Sequence, residues 1–257
     1  PNLSTIIAFT LAATSDIIFV FKFINKNCFI ILRCKGNKIS SNIRKKNKKN
    51  TSFCTNTSNV SNKLKIFMSS KIAIFASGSG SNAENIVTYF SNRSDVEFPV
   101  IISNKADAFV HQRARKLNIQ SLSFSKEQFN EGTEIIKLLK SYNIDFIVLA
   151  GFLLKIPSNL IDKFPCKIIN IHPALLPKYG GKGMYGDYVH QAVKEAGEKE
   201  SGITIHFVNE NYDEGSIIFQ AKCEISDHDS VSEIAAKVHA LEYKYFPEVI
   251  KKVLMID

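Results

Sequence analysis

The chain has 257 residues, 45% of them apolar, and carries 33 Lys or Arg against 24 Asp or Glu for a formal net charge of +9. That length allows one large domain or two small ones, and the apolar share is ordinary for a protein with a real core. Residues 1–67 hold twelve of the basic residues against a single acid, Asp16, so the remainder carries 21 basic and 23 acidic groups and a nucleic-acid-binding body is not indicated.

Residues 1–67 form a basic leader, apolar over 6–32 and then rich in Asn, Lys and Ser, with no amphipathic period; the expectation is a disordered or processed segment. Asp16, Lys22 and Lys26 interrupt its apolar half, so no uncharged run of about 18 residues exists for a spanning helix. An acid-poor organelle transit peptide is a second reading. A third, which we favour, is upstream translation, because the chain begins with Pro1 and its first Met is Met68, directly before the apolar run 72–75. The expected division is therefore a leader, 1–67, and one domain, 68–257. Three of the five cysteines lie in the leader, and Cys166 and Cys223 show no metal-ligand spacing, so no structural zinc is expected.

Within the domain, Lys71 to Ala76 reads as a strand, Ser77-Gly78-Ser79-Gly80-Ser81-Asn82 as a glycine-rich turn, and Ala83 to Phe90 as a helix. Glycines let the backbone approach an anion, and a helix N-terminus supplies free N–H groups. The spacing matches neither the dinucleotide fingerprint nor the Walker loop, so a monophosphate fits better. The plain alternative is a capped tight turn.

Strand and helix then alternate: strand 99–103, helix 106–117, strand 120–124, helix 131–142, and strands 146–150 and 167–171. This order predicts an α/β, doubly wound, mostly parallel Rossmann-like sheet in a single domain without internal repeat. Ligands of such sheets bind beyond the carboxyl ends of the strands. The turn 77–82, the segment 151–156 and residues 170–172 should therefore face one cleft.

The segment Asn170-Ile171-His172-Pro173 places an amide and an imidazole at i and i+2, on one side of an extended chain. An amide can donate to a carbonyl oxygen that gains charge, and an imidazole can carry a proton to or from an amine, which suits acyl transfer. A strand end capping a turn before Pro173 is the alternative. Two further strands, 202–208 and 216–224, flank a loop holding Asp213, which is either a turn residue before Gly215 or the carboxylate that orients His172. His206 reads as a packed strand residue. A last helix is expected over 231–254.

Taken together, the motifs 74–82, 103–108, 148–152, 170–179, 205–208 and 213–215 resemble the phosphoribosylglycinamide formyltransferase family across 71–254. The resemblance implies a formyltransferase fold and transfer of the formyl group of 10-formyltetrahydrofolate to the amine of phosphoribosylglycinamide in purine synthesis, with no metal. It implies Asn170, His172 and Asp213 as catalytic residues: Asn170 and a protonated His172 stabilise the oxyanion, and Asp213 sustains the His172 charge. It implies Gly80, Ser81, Asn82 and Glu242 as substrate-binding residues. The folate would lie along Leu153, Leu154, Lys155, Ile156, Asn209, Asn170 and Asp213, with Lys126 where some relatives have Arg. The stretch 180–186 departs from other branches yet fits a flexible substrate loop.

The implied partners are the two small molecules alone, with no nucleic acid and no membrane for the domain, in a cytoplasmic monomer or homodimer, or an imported one if the leader is a transit peptide. Two other enzymes of the formyl-folate group are rivals. A formyltetrahydrofolate hydrolase is expected to carry a folded N-terminal domain, and a methionyl-tRNA formyltransferase a further C-terminal one. A binding protein without turnover, tethered by its basic leader, is the non-enzymatic alternative.

Overall fold

A computed structural model describes the backbone of residues 17–24 and 27–34 and all of residues 69–255. The chain divides into two units, Pro1–Ile66 and Phe67–Asp257. In the first, strands β1 (Ile17–Ile24) and β2 (Asn27–Cys34) pair antiparallel with Ile17 opposite Cys34. This pairing falls inside the stretch expected to lack regular structure. Both segments are rich in β-branched and aromatic residues, which favour a pleated strand even between lysines. The rest of the leader lies outside the described residues.

The second unit is a seven-stranded sheet in the order β5-β4-β3-β6-β7-β8-β9, made of β3 (Ser70–Phe75), β4 (Val96–Ser103), β5 (Gln120–Ser123), β6 (Phe146–Leu149), β7 (Ile168–His172), β8 (Glu200–Phe207) and β9 (Ile217–Glu224). The first five pair in parallel, and β8 and β9 join antiparallel, so the expected mostly parallel α/β sheet is what forms. The chain runs outward from β3 through β4 to β5 and then returns to β6 on the other side of β3. That reversal puts the switch point between the carboxyl ends of β3 and β6, where open sheets of this kind leave a crevice.

Alternate residues of each parallel strand serve opposite cores. Ile72 and Ile74 of β3 pack with Ile86, Val238 and Phe246 on one face, and Ala73 and Phe75 with Phe129, Ile135 and Leu139 on the other. Both faces of β3 and β6 are therefore apolar, as a sheet covered on both sides requires. The first core lies under α1 (Ser81–Tyr89), α2 (Val110–Lys116) and α7 (Val231–Val253), the second under α3 (Lys126–Glu131), α4 (Thr133–Ser141) and α5 (Ser158–Lys163).

The expected helix over 131–142 forms as α4, starting two residues later, and α3 ahead of it was not anticipated. Gly132, at φ +66°, closes α3 and opens α4, and a Cβ there would meet Asn159 Oδ1 at 2.6 Å, so the chain turns where only glycine fits. Helix α2 starts at Val110 rather than 106, and α5 and α6 (Asp187–Glu195) were not anticipated. Helix α7 opens on a reciprocal cap between Ser230 and Glu233.

Candidate active site

The carboxyl ends of β3, β6 and β7 open into a cavity of about 540 Å³. The turn after β3, Gly78 to Asn82, forms one wall. It is fixed to its neighbours by main-chain groups: Val110 N–H donates to Gly78 O at 3.1 Å, Arg113 Nε–H to Ser79 O at 2.9 Å, and Ser77 N–H to Gly151 O at 3.0 Å. Gly80, at φ +74°, sits so tightly under α2 that a Cβ would lie 2.4 Å from Val110 Cγ2. It is the N-cap of α1 and no side chain caps that end, so the first-turn N–H groups of Ser81 and Asn82 stay available at the wall.

The adjoining wall comes from α7. Glu242 is buried, and its Oε2 accepts from Asn82 Nδ2 and from His239 Nδ1, each at 2.8 Å. The Glu242 hydrogen bond raises His239 above the ordinary imidazole range against the effect of burial. Asn82 Oδ1 and His190 Nδ1 are buried with no partner. Unsatisfied polar atoms are costly inside a protein, so both fit a site completed by a polar ligand.

At the end of β7, Asn170 and His172 leave the strand on one side, as their spacing requires, and Asp213 meets them from the loop after β8. His172 Nδ1 is 3.5 Å from Asp213 Oδ2, and Asn170 Nδ2 is 3.5 Å from Asp213 Oδ1. His172 Nε2–H donates to the main-chain carbonyl of Tyr179 at 2.7 Å. A carbonyl only accepts, so the carbonyl fixes a proton on Nε2 and leaves Nδ1 as the nitrogen that gains or loses one.

Burial pushes His172 below its ordinary range, with Asp213 and then the Tyr179 carbonyl pulling it partly back. Burial would raise Asp213, but the neighbouring His206 and His172 rings and the Gly181 N–H outweigh it and hold the carboxyl below the usual range.

The structure thus gathers Asn170, His172, Asp213, Gly80, Ser81, Asn82, Glu242 and Leu153 around one cavity. It does not bring the remaining predicted folate residues there. Lys126 opens α3, Leu154 and Ile156 pack on the second core, and Lys155 lines a separate depression with Asn130, Glu210 and Asn211. Lys155 reaches the cavity only through Tyr212, a lining residue, over whose ring its Nζ lies 5.9 Å from the centroid. Asn209 instead accepts from Asn211 N–H inside its own loop.

His206 is packed in a strand as expected, yet it also touches the catalytic candidates. The β7–β8 register sets it opposite Asn170, with its Nε2 3.1 Å from Asn170 Nδ2 and 3.6 Å from Asp213 Oδ1. Nothing short of the strand pairing signals this contact. His190 and His239 are lining residues that sequence reasoning missed, because each occupies a helix position where a histidine carries no pattern of its own.

Among the described residues no group of three or more His, Cys, Asp or Glu side chains is placed to hold a metal ion, and no helix is long and apolar enough to cross a membrane.

Residues 70–250 match the formyl transferase family. A chloroplastic phosphoribosylglycinamide formyltransferase of Arabidopsis thaliana is 42% identical over 186 residues, 70% of this chain and 64% of that protein. The enzyme of that name from Bacillus subtilis is 39% identical over 192 residues, 73% of this chain and 96% of the relative. The crystal structure of the Anaplasma phagocytophilum phosphoribosylglycinamide formyltransferase superposes with a TM-score of 0.67 at 29% identity, covering 73% of this chain and 88% of that one.

Proposed function

The chain belongs to the formyl transferase family, and from that premise we propose that it transfers the formyl group of 10-formyltetrahydrofolate to the amine of 5'-phosphoribosylglycinamide. The products are formylglycinamide ribonucleotide and tetrahydrofolate, a step of purine synthesis. The observation that carries this reading is the convergence of an amide, an imidazole and a carboxylate, Asn170, His172 and Asp213, on a cavity whose other wall is a free helix N-terminus. Names of relatives that share the chemistry support it.

The walls divide the work. The α1 N-terminus and the Gly80–Asn82 turn suit the phosphate, as N–H donors and the helix dipole favour an anion. Glu242 and the unpartnered Asn82 Oδ1 suit hydroxyl or amine donors beside it. Leu153, Phe152 and Tyr212 offer apolar surface for the pterin, which the main chain of 150–153 can hydrogen-bond at its edge.

In the reaction the amine nitrogen bonds to the formyl carbon, the carbonyl π pair moves to oxygen, and Asn170 Nδ2 donates to that oxyanion. In this reading the ring starts neutral, in place of the protonated ring the resemblance implies, with its one proton on the Nε2 that the Tyr179 carbonyl holds. His172 Nδ1 takes the proton the amine sheds, and Asp213 stabilises the imidazolium that forms. When the oxyanion collapses, the bond to folate N10 breaks and a proton from the imidazolium, passed through water, goes to that nitrogen.

The domain of residues 68–257 carries the activity, the leader being a separate segment; the protein works as a monomer or homodimer, in the cytoplasm or, where the leader is a transit peptide, in an organelle. Formyl transfer by the full chain, set against its His172→Ala form and against reactions without the ribonucleotide, tests the assignment. Turnover that requires the amine and collapses in the variant supports it. Folate deformylation without the amine would replace it with a hydrolase, and the same assay on 68–257 reads the leader's contribution.

A further inference from the structure

The imidazole and carboxylate at the centre of the cavity are both held by one short piece of main chain. Tyr179 O accepts from His172 Nε2–H at 2.7 Å, and two residues on, Gly181 N–H donates to Asp213 Oδ2 at 2.9 Å. That Oδ2 is the oxygen 3.5 Å from His172 Nδ1. Between them Gly180 packs so closely that a Cβ would lie 2.5 Å from Leu176 Cδ2 and 3.3 Å from Asp213 Cβ. Tyr179 and Gly181 both have positive φ, +57° and +98°, so the segment coils to turn one carbonyl and one N–H inward.

Such a turn needs an anchor. Glu198, in the connection between α6 and β8 and not part of the cavity lining, supplies it. Its Oε1 accepts from the Tyr179 hydroxyl at 2.8 Å and from Lys178 Nζ at 2.7 Å, so consecutive side chains of the segment are tied to one carboxylate oxygen. The Tyr179 ring also packs beside Ala174, Val189 and Val193. Lys178 and then Tyr179 hold the Glu198 carboxyl below the usual range.

We propose that the Tyr179–Gly181 main chain is a clamp that sets which nitrogen of His172 carries the resting proton, and that Glu198, outside the cavity, is the positioning residue that holds the clamp in register. The chemical consequence is specific. With Nε2–H fixed on the Tyr179 carbonyl, Nδ1 is the open base and faces Asp213. Without the clamp either tautomer is available, and the one with Nδ1–H cannot accept a proton at the nitrogen beside Asp213. Asp213, His206 of β8, His190 of α6 and Glu242 of α7 face His172. Glu198 touches the clamp only through Lys178 and Tyr179 and lies outside the cavity lining, so its influence runs through the position of that segment.

This inference rests on the formyl-transfer reading for its kinetics, so its primary readout needs no substrate. In the full chain, ring-nitrogen NMR of His172, assigned by its loss in His172→Ala, is expected to show neutral Nε2–H in the native protein and a mixture of tautomers in Tyr179→Phe and Glu198→Ala. Those two variants are expected to lose about tenfold in kcat, the scale at which outer hydrogen-bond partners of a functional histidine act, with KM for both substrates within about twofold. Glu198→Gln keeps an oxygen for the phenol proton and is expected to recover most of kcat, which also provides a folded reference. An unchanged tautomer in Tyr179→Phe and Glu198→Ala overturns the clamp, whatever happens to kcat. A shifted tautomer with unchanged kcat overturns its role in the reaction. Absence of formyl transfer in the native chain would remove the proposed function and leave the NMR result to decide the clamp alone.

Discussion

Glu242 accepts a 2.8 Å hydrogen bond from Asn82 Nδ2, joining residues 160 positions apart, and the same Oε2 takes the His239 Nδ1 bond. One buried carboxylate oxygen thus sets the amide of the phosphate turn and the His239 imidazole together. Glu242→Gln removes the charge that sustains His239 and weakens the acceptor for Asn82. KM for the ribonucleotide is expected to rise about tenfold, equivalent to roughly 1.4 kcal/mol, with KM for the folate little changed. Steady-state kinetics with each substrate varied checks this; an equal rise in both would show that Glu242 acts on the whole cavity and not on the ribonucleotide.

Gly80 makes the neighbouring prediction. A methyl group added at φ +74° would be strained by the backbone and driven to 2.4 Å from Val110 Cγ2. The turn must shift away from α2, and the N–H groups of Ser81 and Asn82 move with it. Gly80→Ala is expected to raise KM for the ribonucleotide by about tenfold or more and to cost stability of roughly 1–3 kcal/mol. Calorimetric titration with the ribonucleotide, alongside chemical denaturation, separates the two effects, and native affinity in the variant would remove the turn from the phosphate site.

Asn170 shares its amide between His206 Nε2 at 3.1 Å and Asp213 Oδ1 at 3.5 Å, so the group is oriented before any substrate enters. Preorganised donors of this kind act on the oxyanion more than on the bound carbonyl. Asn170→Ala is expected to lower kcat by about 10²–10³ with a much smaller change in either KM. His206→Ala, which frees the amide to rotate, is expected to give a smaller loss in the same parameter. If both variants instead changed KM alone, Asn170 would be a binding group rather than an oxyanion donor.

These residues also mark what the sequence made legible. The parallel sheet was readable because 72–75 and 146–149 are apolar at every position, a pattern only a strand covered on both faces produces. Asn170 and His172 were readable as a pair because their two-residue spacing fixes their common side in a strand. His206 was not, since its contact with Asn170 depends on which strand pairs with β7 and in what register. Lys126, Leu154, Lys155, Ile156 and Asn209 were carried over as folate residues from a resemblance, and position in a motif does not say which way a loop side chain points. Helix α3 was missed because its six residues are too few to show a helical period, and its end at Gly132 depends on a positive φ under Asn159.

Burial holds His172 below its ordinary value of 6.5, against the upward pull of Asp213 and the Tyr179 carbonyl. If the neutral ring is the form that takes the amine proton, kcat/KM rises with pH and levels off once His172 is deprotonated. The acid limb should therefore report an apparent pKa below 6.5 in the free enzyme. Asp213→Asn deletes the largest upward pull while leaving burial in place, so its limb moves further toward acid, and kcat falls because the imidazolium formed during transfer loses its counter-charge. A cationic resting His172 gives the opposite sign: activity would fall as pH rises through its pKa, and Asp213→Asn would bring that fall to lower pH. Profiles of kcat/KM for native protein and Asp213→Asn, measured with the folate saturating and the amine kept below its KM, distinguish the two. An acid limb that moves with Asp213 identifies His172 as the base, and an alkaline limb that moves with it would make the ring a cationic stabiliser of the oxyanion.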